Sequence, residues 1–259
     1  MSFSLSSPPR VLAIHAHPDD VEILCGGTLA LLSQLGCKTF SVSMTPGDKG
    51  SAELSGDEIA AVRRLEGAQG AKILGAGYAC LEFRDLEILV DNDGRRKVTE
   101  ILRKIQPDLI LTAAPVDYMS DHEMTSRLVR DACFNASVPN YKTEQPDPAP
   151  LTTKIPALYY MDPLEGTDWF GNRVTPDFIV DVSTTIETKL QALAAHASQR
   201  EWLRRQHGMD EYLDSSRRFS ASRGAEAGCA YGEGFRQHTG HPHPHDNVLL
   251  DLLKNGIPS

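Results

Sequence analysis

The alternation of short apolar runs with amphipathic stretches restricts the fold of this chain more than any other feature. Val11-Leu12-Ala13-Ile14 is an apolar run stopped by the polar stretch His15-Ala16-His17-Pro18-Asp19-Asp20. Such a run reads as a buried strand ending in a functional turn. From Val21 to Leu35, the residues Ile23, Leu24, Leu29, Leu31, Leu32 and Leu35 recur at helical spacing before Gly36 closes the segment. Thr39 to Met44 then alternates like a strand. Strand, helix and strand make a βαβ unit, with a right-handed crossover and parallel strands.

The pattern repeats. It predicts helices over Asp57 to Leu74, Arg96 to Ile105 and His122 to Ala136, and strands over Tyr78 to Phe83 and Pro107 to Ala114. Two further strands are expected at Ala157 to Met161 and Phe178 to Val182, followed by a long helix over Thr185 to Arg205. The last forty residues read as Gly, His and short helical pieces. The expected fold is α/β: a Rossmann-like three-layer sandwich with a mostly parallel sheet and helices on both faces, as one domain over residues 1–259.

Composition narrows the function. The 26 Lys and Arg against 35 Asp and Glu give a formal charge of −9, which argues against a dedicated nucleic-acid binder. No apolar run approaches the roughly 20 residues of a membrane-spanning helix. The opening MSFSLSSPPR lacks the apolar stretch of a secretory signal. The five cysteines are scattered without a CxxC pair, so a thiolate metal site and a disulfide framework are not expected. These features lead to an expected cytoplasmic location. No dinucleotide or nucleotide-triphosphate fingerprint is present, nor a Gly-x-Ser-x-Gly nucleophile motif.

Two loops carry the chemistry. His17-Pro18-Asp19-Asp20 follows the first strand, and Asp117-Tyr118-Met119-Ser120-Asp121-His122 follows the strand ending at Ala114. In a doubly wound sheet both project from the carboxyl edge, where ligands bind. Histidines and carboxylates without thiolates suit zinc or a neighbouring divalent ion with an open position, and a further carboxylate supplies a base for bound water. Each loop taken alone reads equally as a turn with an aspartate capping the following helix.

The chain resembles the LmbE-like or PIG-L family of zinc-dependent N-acetylglucosamine deacetylases. The resemblance rests on Ala16-His17-Pro18-Asp19-Asp20-Val21-Glu22, Gly26-Gly27-Thr28-Leu29-Ala30, Thr45-Pro46-Gly47, Arg63-Arg64-Leu65-Glu66-Gly67 and Asp121-His122. It continues through Lys189, His196-Ala197-Ser198-Gln199 and Tyr231-Gly232-Glu233-Gly234-Phe235-Arg236. It implies a metal-dependent amide hydrolase acting on an N-acetylated sugar or glycoconjugate, with one zinc (or another divalent metal) per chain. It further implies His17, Asp20 and His122 as ligands, Asp19 as general base, Arg63 as a substrate contact and a homo-oligomer. Asp117 and Tyr118 are expected to face the substrate as well.

One position departs from the family. Its second cluster is usually His-Pro-Asp-His, and Met119 stands where the first histidine would stabilise an oxyanion or protonate the amine. Methionine can do neither. Tyr118, His238 and His241 are the candidate substitutes, the last two within Gln237-His238-Thr239-Gly240-His241-Pro242-His243-Pro244-His245. The alternative is a weakly catalytic or non-catalytic carbohydrate- or nucleotide-binding member of the same fold. His15 is a candidate for supporting a ligand. Loops 138–156 and 163–176, the latter with Trp169 and Phe170, are expected to shape the pocket.

Overall fold

The structure is a computed structural model, and it describes residues 5–201 and 211–256. Seven strands form one sheet in the order β3-β2-β1-β4-β5-β7-β6. They are β1 (Arg10–His15), β2 (Lys38–Ser43), β3 (Gly77–Cys80), β4 (Leu109–Thr112), β5 (Ala157–Met161), β6 (Phe178–Asp181) and β7 (Gly232–Gln237). Strands β1 to β5 run parallel, as their helical crossovers require. β7 is antiparallel to both β5 and β6. The helices are α1 (Asp20–Gln34), α2 (Gly56–Ile73), α3 (Asn92–Ile105), α4 (Ser120–Asn135), α5 (Ile186–Ala194), α6 (Glu211–Ala227) and α7 (Val248–Asn255).

Alternate residues of each central strand serve different layers, because successive strand side chains point to opposite faces. Val11, Ala13, Leu109 and Leu111 pack with α1 and α7, through Leu24, Leu29, Leu249 and Leu252. Leu12, Ile14 and Ile110 pack with α3 and α4, through Val98, Leu102, Leu128 and Val129. Helices therefore cover both faces, as the α/β sandwich read from the sequence requires.

The local starts and stops have simple causes. Ser55 and Glu58 form a reciprocal capping box that begins α2. Helix α3 starts four residues before the expected Arg96, because the Asp91 carboxylate accepts from Gly94 N at 2.7 Å. Residues expected to extend β3 continue along β2 as irregular chain, with Leu81 N on Ser43 O and Phe83 N on Met44 O, both 2.9 Å. The helix expected over Thr185 to Arg205 breaks after α5 at Ala195-His196 and resumes over residues 197–201. Its last four residues lie outside the described ones.

The C-terminal part departs most from the sequence reading. In the last forty residues α7 is one of the short helical pieces expected, but the end of the longer α6 and the strand β7 form there too, and β7 completes the sheet between β5 and β6. Strand order reverses around β1, which has β2 on one side and β4 on the other. That reversal opens the crevice in which the loops after β1 and β4 meet.

Candidate active site

The loop after β1 turns sharply into α1, and Asp19 takes φ 106°, ψ −28° at the helix start. A non-glycine residue with positive φ is strained, and such strain persists where surrounding contacts over-determine it. Here the strain turns consecutive carboxylates in different directions. Asp20 faces inward, where its Oδ2 accepts from His17 N at 2.7 Å and lies 2.7 Å from His15 Nδ1. Asp19 faces the crevice side, where its Oδ2 accepts from the Tyr212 hydroxyl at 2.6 Å and from Arg63 Nη2 at 3.5 Å.

The loop after β4 brings in His122 from the first turn of α4. Asp20 Oδ2 lies 3.2 Å from His17 Nδ1 and 3.5 Å from His122 Nε2, and the two ring nitrogens are 3.3 Å apart. These edges match the corners of a tetrahedron whose centre is about 2.0–2.1 Å from each atom, the ordinary zinc-to-donor distance. The outer ring nitrogens face carboxylates. His17 Nε2 is 3.0 Å from Asp85 Oδ1 and 3.4 Å from Asp121 Oδ2. His122 Nδ1 is 3.1 Å from Asp117 Oδ1, near enough for charge pairing but not aligned as a hydrogen bond. With protons on those outer nitrogens, three lone pairs converge on one point, an arrangement that calls for a cation. The donor set therefore fits a divalent metal.

His15, Asp20 and His122 also fall within one cluster of metal-capable atoms, as do His17, Asp85 and Asp121. The small triangle of His17, Asp20 and His122 is the better site. The Nδ1 of His15 is already engaged with Asp20, and Asp121 is held by the backbone amides of Leu86 and Ile88.

The electrostatics separate the neighbouring acids. Burial penalises the charge on Asp20, but His15, His122 and His17 outweigh it and hold the carboxyl well below its ordinary range. Burial raises Asp19, with Asp20 adding to the rise and Arg63 opposing it. Burial also works against charge on His17, yet the surrounding carboxylates, Asp20 foremost, bring its pKa well above the ordinary value.

The other expected residues divide. Tyr118 borders the crevice, 60% exposed, with its ring edge-on to His122 at 5.4 Å. Arg63 is buried under the loop, donating to Pro18 O at 2.8 Å, so it braces the turn that carries Asp19 as well as bordering the crevice. Asp117 is a correction: its side chain is fully buried against His122 and faces no substrate space. His238 and His241 are another correction. Because β7 is antiparallel, its end at Gln237 lies beside Tyr159 and His238 N reaches Leu158 O, near the amino end of β5. Both histidines line a separate cavity at that opposite edge, so neither supplies a donor within the chain.

Residues not foreseen complete the crevice, a cavity of about 800 Å³. Asp85 comes from the loop after β3, and Tyr212, Ser215, Ser216 and Phe219 come from one face of α6. Leu164 and Glu165 represent loop 163–176, whereas Trp169 and Phe170 are exposed (59% and 80%) and do not line it. Loop 138–156 contributes nothing to the crevice; its Tyr141 lines the cavity at the opposite edge.

Residues 12–133 match the family model PIG-L, described as GlcNAc-PI de-N-acetylase. N,N'-diacetylchitobiose deacetylase from Pyrococcus horikoshii is 30% identical in structural alignment, with a TM-score of 0.76, covering 95% of this chain and 92% of that one. The chain belongs to the PIG-L family. A diacetylchitobiose deacetylase from Thermococcus kodakarensis is 28% identical over 211 residues, spanning 77% of this chain and 74% of the relative. This PIG-L chain is also similar to 4-oxalmesaconate hydratase of Pseudomonas putida, 25% identical over 207 residues and 76% of each chain. Among the described residues no helix is long and apolar enough to cross a membrane.

Proposed function

We propose that this chain is a zinc-dependent N-deacetylase that removes the acetyl group from an amino sugar or glycoconjugate. The observation that carries the proposal is the triangle of His17 Nδ1, Asp20 Oδ2 and His122 Nε2, with edges of 3.2–3.5 Å, beside a carboxylate outside that triangle. His17, Asp20 and His122 would hold one metal ion, with zinc favoured over other divalent ions by the nitrogen-rich set. When bound, zinc would polarise the amide carbonyl and make water acidic enough to deprotonate near neutral pH.

The protein's own groups supply the rest. Asp19 accepts a proton from the attacking water and passes it to the departing amine, so that amide and water become acetate and a free amino group. Tyr118 is the described residue best placed to donate to the oxyanion, since Met119 has no proton to give. An ordinary phenol titrates at about 10, so that proton stays in place near neutral pH. Asp85, Asp121 and Asp117 orient the histidine rings, and His15 orients Asp20. Asp19, which a purely binding member of the fold would not need, favours catalysis over the binding alternative. A cytoplasmic location and assembly into a homo-oligomer belong to the same proposal; the five free cysteines fit a reducing compartment.

The test is acetate release by the zinc-loaded chain from N-acetylglucosamine, diacetylchitobiose and simple N-acetylglucosaminides. The expected result is acetate and free amine in equal amounts, abolished by a chelator and restored by zinc. No acetate from any of them would overturn the proposed activity.

A further inference from the structure

Tyr212 lies 193 positions from Asp19 in sequence, yet its hydroxyl sits 2.6 Å from Asp19 Oδ2. It is buried at 7% exposure in the first turn of α6, the helix that also lends Ser215, Ser216 and Phe219 to the crevice. Arg63 approaches the same oxygen at 3.5 Å. Among the described residues the carboxylate thus has Oδ2 tethered and no hydrogen bond on Oδ1, while its backbone is held at φ 106°.

A general base works only when its free lone pair points at the proton it removes, and a misplacement of about 1 Å can cost a hundredfold in rate. A terminal carboxylate torsion is broad, so the rotamer alone does not fix that direction. We propose that Tyr212 is a positioning residue: its hydroxyl pins Oδ2 of Asp19 so that Oδ1 faces the attacking water. This rests on the deacetylase reading above and adds to it that α6, which forms one wall of the crevice, also sets the base. Arg63 alone is a poor substitute, because its stronger bond goes to Pro18 O at 2.8 Å and its contact with Asp19 is long. Asp19 remains the residue that touches the water; Tyr212 acts through it.

Two measurements on Tyr212→Phe decide the matter. In a crystal structure of the zinc-loaded variant, the Asp19 carboxylate should turn or spread over several orientations, while His17, Asp20 and His122 superpose on the unaltered protein. An Asp19 that keeps its orientation overturns the inference. In kinetics, kcat should fall about tenfold or more with KM and zinc content unchanged, and the loss should vanish in an Asp19→Ala background. An unchanged kcat, or an equal loss in that background, also overturns it. If the unaltered protein releases no acetate, the deacetylase reading fails, and the crystallographic comparison still decides whether Tyr212 sets Asp19.

Discussion

Asp19 and Asp20 are adjacent in sequence and opposite in environment. Asp20 lies among three histidines that keep it charged; Asp19 lies in a buried pocket that works against its charge. Divergent environments for neighbouring acids are how one short motif provides both a ligand and a base. Asp19→Asn should therefore keep its zinc while kcat falls by about a hundred- to ten-thousandfold, read from acetate release beside elemental analysis. Equal loss of zinc would move Asp19 into the ligand set. The meeting of His17, Asp19, Asp20 and His122 was legible because the doubly wound pattern puts two His- and Asp-rich loops at one sheet edge, although each loop alone also reads as a helix cap. Asp85 and Tyr212 were not, because each is a single polar residue without a motif, delivered by a loop or helix far away in sequence. Asp117 was misread because a loop carboxylate looks the same in sequence whether it faces substrate or the back of a histidine.

Among the elements, α1 shows how the site's support is built. Its backbone leaves helical geometry at Cys25 (φ −144°, ψ 15°), which releases amides from the helical ladder. Glu233 of β7 collects two of them, Gly27 N at 2.9 Å and Thr28 N at 2.8 Å, and pairs with Lys189 of α5 at 2.7 Å. Gly27 is required there, because a Cβ would lie 2.7 Å from Val182 Cβ. Removing one partner of a buried pair leaves a bare charge, so Lys189→Met should cost about 3–5 kcal/mol in urea unfolding. A loss below about 1 kcal/mol would show that the two amides alone satisfy Glu233. The parallel strands β1, β4 and β5 were legible as apolar runs, and β2 by its alternation. β7 was hidden by Gly232 and Gly234, residues that weaken strands. Gly234 stands there because a Cβ would meet Asp162 Oδ2 at 2.2 Å. In α6, charged and small residues with Gly224 obscure the helical period.

One C-terminal histidine, His243, supports the fold at this scale. His243 donates from Nδ1 to Pro156 O at 3.1 Å, packs against His238 and is held neutral by burial, its pKa lowered to about 4. An ordinary histidine titrates near 6.5, so between about 6.5 and 4 the unfolded chain binds a proton that the folded one refuses. The contribution is complete above about 6.5 and is lost as pH falls toward 4. Urea midpoints at pH 7.5 and 5 should differ less in His243→Asn than in the unaltered protein. An equal difference would show that His243 does not carry it.

At the scale of the whole molecule, the doubly wound sheet explains why loops about a hundred residues apart can share one centre. Strand order reverses at β1, and the loops after β1 and β4 leave the same edge side by side. The same topology explains why the histidine-rich segment cannot join them, since an antiparallel last strand carries it to the other edge. Edge placement for the parallel strands followed from the βαβ pattern; the direction of β7 was invisible without recognising it as a strand. If His17, Asp20 and His122 form a metal centre, elemental analysis of the purified, zinc-treated chain will read it out. One zinc per chain is expected, falling to background in Asp20→Ala with the fold retained by circular dichroism. A chain that takes up no zinc, or an Asp20→Ala variant that keeps it, would mean that these three residues do not hold the metal.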